Sequence, residues 1–138
     1  MYTFFKLQTT INGYFFLSEI TFYKVNTMKE GFVYLLVDFG SEPEKYKIGI
    51  TTGRIDKRIK SLQTGNPNEI NVLKYFKSKF YRHIEKSLHK KYNYLKTNGG
   101  NEWFTLPPDS VFDFMSDCNE INNHIEYLVK MGNPFITS

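Results

Sequence analysis

Two neighbouring apolar segments of the sequence, residues 31–37 and 46–51, contain side chains that an apolar strand does not need. Strand alternation places Tyr34 on one face of the first segment, and it places Lys47 and Gly49 together on one face of the second. An unpaired charge is too costly to bury, so Lys47 must face water, a partner or a ligand. Gly49 leaves room beside it for another group to approach closely. These two strands are therefore the first candidates for a functional site.

Three further side chains with charged or titratable groups lie on segments with helical periodicity. Arg58 lies next to the apolar stripe of the first helix, so it can reach the sheet or remain in solvent, and the pattern alone favours solvent. Glu85 and His89 are four residues apart and project from the same side of the second helix. Such a pair is either a helix-surface pair or part of a site, and by itself it is weak evidence for a metal.

The hydrophobic pattern predicts the elements that must position these residues. Two strands at 31–37 and 46–51, joined by a long loop of turn formers and charges, indicate a β-hairpin. Thr51 or Thr52 is expected to cap the helix that follows. The remaining central elements are a helix at 54–62, a third strand at 69–76 and a second helix at about 81–94.

The two ends of the chain have patterns of their own. Asn12-Gly13 between two aromatic-rich runs predicts an N-terminal hairpin, roughly residues 3–9 and 14–25. A short apolar element at 102–106 contains Trp103 and Phe104, which we expect to close the core. A last helix is predicted from Asp109 or Ser110 to about Met131, because apolar residues recur there at helical spacing.

These elements predict an α+β fold, a small mixed domain with an antiparallel sheet. The predicted divisions are an N-terminal β-hairpin extension at 1–28, a core at 29–107, and a C-terminal helix at 108–138 that packs on the core. A length of 138 residues suits one domain with a small appendage.

Composition narrows the class of protein. The formal net charge of +4 favours anionic partners, and nucleic acid is the first candidate. Cys118 is the only cysteine, which excludes an internal disulfide and cysteine-rich zinc sites and fits a reducing, intracellular setting. No run of residues is long and apolar enough to span a bilayer, and the N-terminus lacks the features of a secretory signal. We therefore expect a protein that is neither secreted nor bound in a membrane.

Several short motifs, in this order, resemble the GIY-YIG endonuclease superfamily. The similarity covers about residues 30–106, and the nearest branch is the group of small phage and viral domains named after a phage T5 open reading frame, often called DNA-binding. The motifs are Gly31-Phe32-Val33-Tyr34, Lys47-Ile48-Gly49-Ile50-Thr51, Arg58 with Leu62-Gln63-Thr64-Gly65-Asn66-Pro67, Glu85 with Leu88-His89, and Glu102-Trp103-Phe104. The resemblance implies a three-stranded antiparallel sheet flanked by helices, and hydrolysis of a DNA phosphodiester with one divalent metal ion.

The resemblance also implies a role for each matching residue. Tyr34 would position or deprotonate the attacking water, Arg58 would stabilise the charge on the phosphate, and Glu85 would hold the metal. Lys47 stands where many members have a second tyrosine, although related branches also have lysine there. His89 lies one helical turn beyond Glu85 and would orient it or carry a proton.

The expected chemistry suits these residue types. Cleavage adds negative charge to an anionic centre, so fixed cations such as Lys47 and Arg58 stabilise the transition state. A cation near Tyr34 also favours its phenolate form. Mg²⁺, or Mn²⁺ in its place, accepts one carboxylate together with substrate oxygens, so one ion needs only Glu85. The side chains expected to contact DNA outside the reaction centre are Arg54, Lys57, Lys60 and Asn66.

Two other functions remain open at this stage. One is a DNA-binding module of the same fold that does not cleave, which the modest charge and the missing second tyrosine favour. The other is a viral effector that acts through protein contacts made by its apolar flanks. No separate DNA-recognition motif is visible in 109–138, so specificity is either low or supplied by a homodimer or a protein partner.

Overall fold

Strands β1 (Gly31–Asp38) and β2 (Lys45–Thr51) form the antiparallel hairpin that the sequence predicts. The computed structural model describes residues 28–97 and 103–132. The register pairs Tyr34 with Gly49, and Lys47 lies two residues before Gly49 on the same face of the sheet. The predicted placement of Tyr34 and Lys47 on one face is therefore confirmed. The predicted N-terminal hairpin lies outside the described residues.

The sheet has four strands in the described part of the chain, so the expected number of three is wrong. Strands β3 (Ile70–Ser78) and β4 (Trp103–Phe104) flank the hairpin in the order β3-β1-β2-β4, and every pairing is antiparallel. Strand β4 is the apolar element expected only to close the core, and it pairs with β2 through two residues. Two residues are too few for a strand to produce an alternating pattern.

Helix α1 (Ile55–Thr64) follows β2, and helix α2 (Tyr81–Lys91) follows β3 and leads into a 3₁₀ turn at Asn93–Leu95. The predicted threonine cap of α1 is wrong. Arg54 occupies the cap position without a side-chain cap bond, while Thr51 Oγ1 accepts a hydrogen bond from Gly53 N at 3.2 Å. Strand β2 extends through Thr51, so this threonine ends a strand and stabilises the turn instead of the helix.

The single helix predicted at the C-terminal end is two helices, α3 (Pro108–Phe112) and α4 (Phe114–Lys130). Lys74 on β3 explains the break between them. Its Nζ donates to the carbonyl oxygens of Val111 and Phe112 at 3.0 and 2.9 Å. These bonds supply partners for carbonyls at the end of α3, which a helix terminus otherwise leaves unsatisfied.

The two faces of the sheet carry different helices. On one face, Tyr34, Leu36 and Ile70 form a buried cluster with apolar side chains of α1, among them Ile59 and Leu62. On the other face lies α2, whose buried side chains include Ile84 and Leu88. Residues of the functional motifs are thus distributed over helices on both sides of β1 and β2.

The chain divides into two compact units. One contains Glu30–Ile121 and includes the whole sheet, and the other contains Met1–Lys29 and Asn122–Ser138. The boundaries predicted from the sequence remain a prediction. Among the described residues, no helix has both the length and the apolar character needed to cross a membrane.

Candidate active site

Tyr34 lies at the centre of the candidate site, on the middle of β1. Its side chain is only 1% exposed, and its ring covers Gly49 on β2. Arg58 Nε on α1 donates a hydrogen bond to the Tyr34 hydroxyl oxygen, with the two atoms 3.3 Å apart. The expectation from the pattern that Arg58 remains in solvent is therefore wrong, because the side chain reaches back from the helix to the sheet.

Gly49 provides the space that the Tyr34 ring occupies. A Cβ atom built on Gly49 would lie 2.6 Å from Tyr34 Cζ and even closer to the hydroxyl oxygen. Real Cβ atoms do not approach a ring so closely, so any side chain here would displace the tyrosine. The sequence predicted that something approaches Gly49, and that group is an aromatic ring from the facing strand.

Lys47 lies on the same face as Gly49 and is largely buried, with 8% of its surface exposed. Its Nζ lies 5.7 Å from the centre of the Trp103 ring, and Lys47 and Trp103 are also backbone partners across β2 and β4. The aromatic ring is a favourable neighbour for a lysine ammonium group. Sequence reasoning assigned Trp103 to the core and missed this contact, because only the pairing of β4 with β2 reveals it.

His89 connects helix α2 to β2. Its Nε2 lies 2.8 Å from the carbonyl oxygen of Ile48, the residue between Lys47 and Gly49. A carbonyl oxygen only accepts hydrogen bonds, so Nε2 carries the hydrogen and donates it. The edge of the His89 ring also packs against Phe104, with ring centres 5.1 Å apart. His89 is therefore not a solvated side chain on the helix surface.

Glu85 is placed by the same histidine. Its Oε1 lies 3.5 Å from His89 Nε2, and both side chains are mostly buried, at 18% and 19% exposure. The Glu85–His89 pair thus packs beside Ile48 on the α2 side of the sheet, whereas Tyr34, Lys47 and Arg58 lie on the α1 side. The interpretation of this pair as a helix-surface ion pair does not fit that position.

Tyr46 is the other tyrosine near the second motif. Strand alternation predicts that it faces away from Tyr34, and its backbone partner in β4 is Phe104, whose ring contacts His89 on the α2 side. Burial, together with hydrogen bonding to Glu44 and its negative charge, raises the pKa of Tyr46. A raised pKa keeps the phenol protonated near neutral pH, so less of the phenolate that could accept a proton is present.

The side chains predicted to contact DNA lie on or beside α1. Lys57 and Lys60 are exposed, and Arg54 is exposed while it forms a 2.7 Å ion pair with Asp56. Asn66 is only partly accessible, and its Oδ1 accepts a hydrogen bond from Asn68 N at 3.0 Å. Lys57 and Lys60 are therefore accessible to an anion, whereas Arg54 is paired with Asp56 and Asn66 has a structural task in its turn.

Metal binding would depend on few ligands. The described residues contain no group of three or more His, Cys, Asp or Glu side chains that could hold a metal ion. His89 Nε2 is a hydrogen-bond donor and offers no lone pair to a metal. Glu85 has the chemistry that Mg²⁺ needs from a protein when water and phosphate oxygens provide the other ligands. A carboxylate such as Glu85 therefore suits a sparsely ligated Mg²⁺.

Comparison with known proteins supports one assignment. Residues 31–119 match the T5orf172 domain, a match that includes the whole sheet and both helices of the candidate site. No curated protein and no solved structure matches the chain. The family is associated with nuclease-like phage domains and is consistent with a DNA-binding role. With this match over most of its length, the chain belongs to the T5orf172 domain family.

Proposed function

We propose that this protein is a divalent-metal-dependent DNA endonuclease or nickase of the GIY-YIG type. The observation that carries the proposal is the contact between Arg58 and Tyr34, residues 24 positions apart that meet at 3.3 Å on the sheet. Both are residues that the family resemblance connects with phosphodiester hydrolysis.

The proposed reaction uses Tyr34 to position and activate the attacking water. Arg58 Nε donates a hydrogen bond to the phenol oxygen and so fixes its position relative to α1. The geometry of a guanidinium group suits the oxygens of a phosphate, and Arg58 is the proposed contact to it. Arg58 would thereby connect Tyr34, which activates the water, with the phosphate that the water attacks.

Lys47 supplies the second fixed cation of the proposed site. It lies on the Tyr34 face of the sheet, and its low exposure reduces the screening of its charge by water. Fixed cations aimed at a centre where negative charge develops stabilise the transition state by several kcal/mol. This arrangement explains how a lysine can serve where many relatives of this type have a tyrosine.

Glu85 is the proposed metal ligand, and His89 is a positioning residue. His89 donates to the Ile48 carbonyl and lies next to the Glu85 carboxylate, so it fixes the carboxylate relative to β2. When bound, a Mg²⁺ or Mn²⁺ ion supplies Lewis acidity at the oxygen that leaves the phosphate. The second candidate function is DNA binding without cleavage, which the exposed lysines of α1 support independently of Glu85.

The test is conversion of supercoiled plasmid to nicked circles in Mg²⁺ or Mn²⁺. The wild type is expected to nick, and Arg58→Ala and Glu85→Gln are each expected to lose at least about 100-fold in rate, the usual cost of removing one electrostatic contact to a transition state. Chelation with EDTA is expected to abolish nicking. Arg82→Ala and Glu120→Gln are the matched controls, because both side chains are exposed and lie outside the site.

Each outcome separates the two functions. Nicking that is lost in Arg58→Ala and Glu85→Gln but kept in both controls supports the endonuclease. Salt-sensitive DNA binding by a wild type that does not nick with either metal supports the binding module. Wild-type rates in both site variants would refute the assignment of the site, whatever the source of the activity.

A further inference from the structure

A groove opens on the Tyr34 face of the sheet, beside the N-terminal end of α1. Its volume is about 550 Å³, and two aromatic rings form one of its walls. The lining residues are Phe32, Thr52, Gly53, Arg54, Ile55, Asp56 and Tyr75. Neither the proposed reaction nor the residues expected to contact DNA account for the two aromatic rings. The groove is therefore a separate feature that adjoins the candidate active site.

The position of the aromatic rings follows from the register of the sheet. Phe32 lies two residues before Tyr34 on the same face of β1, a separation of about 6.6 Å along a strand. Tyr75 on β3 is the direct backbone partner of Tyr34. The groove thus begins one same-face position along β1 from Tyr34.

The two rings are arranged as an accessible platform. Phe32 and Tyr75 meet edge to face with their centres 5.8 Å apart. Tyr75 remains 55% exposed, which is unusual for a tyrosine next to the buried Tyr34. Helix α1 packs through Ile59 and Leu62 on the cluster of Tyr34, Leu36 and Ile70, and its first residue, Ile55, lines the groove beside Tyr75.

The charges around the platform favour a polyanion with aromatic groups. Lys77 Nζ lies 6.0 Å from the centre of the Phe32 ring, and Arg54 is part of the groove wall. Asp56 also lines the groove and pairs with Arg54, so the groove interior is a poor place for a phosphate. A neutral planar ring can stack on the exposed Tyr75 ring, while its attached phosphates can reach the basic residues around the platform.

We propose that this groove is a stacking subsite for one unpaired nucleobase of DNA, next to the phosphate to be cleaved. The position of the subsite next to a phosphate that is cleaved rests on the proposed function, but the stacking of a base does not. In a fully paired duplex the base is already stacked on its neighbours. The subsite therefore favours single-stranded or locally opened DNA, in which a base can leave the stack at low cost.

The test compares two single-stranded oligonucleotides in EDTA, one with normal bases and one with abasic sites on the same sugar–phosphate chain. Affinity is measured by fluorescence anisotropy, without cleavage. The wild type is expected to bind the normal strand about 5- to 150-fold more tightly, the factor that corresponds to one base–aromatic stack. Tyr75→Ala is expected to bind both strands equally.

Three further variants separate stacking from charge and from folding. Tyr75→Phe keeps the aromatic ring and is expected to retain the preference for the normal strand. Tyr94→Ala removes a tyrosine that is 79% exposed and does not line the groove, and it is expected to behave as the wild type. Phe32→Leu keeps apolar volume without a ring and is expected to reduce the preference.

A wild type that binds the two strands equally would overturn the inference, and so would a preference that survives Tyr75→Ala. The result is independent of nicking, because no metal is present. A protein that prefers the normal strand but never nicks plasmid would keep the stacking subsite and lose the endonuclease. A protein that nicks plasmid but binds the two strands equally would keep the endonuclease and lose the stacking subsite.

Discussion

Tyr34 is held by contacts from parts of the chain that are remote in sequence. Its ring covers Gly49 on the neighbouring strand, and its hydroxyl oxygen receives a hydrogen bond from Arg58 on α1. The Tyr34 ring occupies the space that a side chain at position 49 would fill. The location of the phenol oxygen, and hence of any water it would position, depends on the absence of a side chain at Gly49.

Gly49→Ala is predicted to destabilise the protein by about 1–3 kcal/mol, the usual cost of adding a methyl group to a packed interior. The new Cβ would overlap the Tyr34 ring, which is rigid and 1% exposed, so the strand or the ring must move. Urea denaturation followed by circular dichroism measures the change in free energy of unfolding. Displacement of the phenol is also expected to lower any nicking activity.

Gly65→Ala is the matched control for this substitution. Nothing lies within 4 Å of a Cβ atom at Gly65, and its φ of −97° is accessible to alanine. Its free energy of unfolding is expected to stay within about 0.5 kcal/mol of the wild type or to rise slightly. Equal stability of the two variants would show that Tyr34 does not pack on Gly49 as described.

Helix α1 positions Arg58, and the loop after the helix is fixed by one of its side chains. Gln63 Nε2 lies 3.2 Å from the Asn66 carbonyl oxygen and 2.7 Å from that of Asn68, and Oε1 accepts from Ile70 N at 2.8 Å. Asn68 in turn donates to the buried Asp38 at the end of β1. One glutamine therefore joins the end of α1 to the start of β3.

Gln63→Ala is predicted to lower the free energy of unfolding by about 1–3 kcal/mol, because the part-buried backbone groups that it satisfies lose their partner. Ser61→Ala, an exposed position on the same helix, is the control and is expected to change stability by less than about 0.5 kcal/mol. Urea denaturation of both variants provides the comparison. If they unfold at the same urea concentration, Gln63 does not hold the loop.

The elements were largely predictable from the sequence, and the contacts between them were not. Alternation predicts β1 and β2 and places Tyr34 and Lys47 on one face, because a strand has a period of two. Periodicity cannot tell that Arg58 reaches Tyr34, since side-chain direction across a helix–sheet contact depends on packing. The hydrophobic pattern also could not predict the pairing of Lys47 with Trp103, because a two-residue strand carries no periodic signal.

Polar contacts join the end of α2 to α4 within the compact unit Glu30–Ile121. Asp117 Oδ2 accepts hydrogen bonds from the Tyr92 hydroxyl at 2.8 Å and from Lys91 Nζ at 3.0 Å. Burial, with Asp117 adding to it, raises the pKa of Tyr92. The residue after Asp117 is Cys118, which is fully buried. This thiol therefore reports whether the unit is folded.

Cys118 is predicted to resist thiol reagents in the folded protein. Burial, with a smaller contribution from Asp117, raises the pKa of the thiol from 9.0 to about 12, and the thiolate is the reactive form. At pH 8, labelling with Ellman's reagent is expected to be slow in buffer and fast in urea. Fast labelling of the folded protein would contradict the burial of Cys118.

The same shift predicts how stability depends on pH above neutrality. The pKa of the Cys118 thiol is higher in the folded protein than in the unfolded chain, so the folded protein keeps a proton that the unfolded chain releases. The resulting stabilisation is complete below pH 9 and declines as the pH rises towards 12. Cys118→Ala lacks this titration while other groups remain. The wild type should therefore lose more stability than Cys118→Ala between pH 8 and 10.5 in urea denaturation, and parallel losses would mean that the thiol titrates alike in both states.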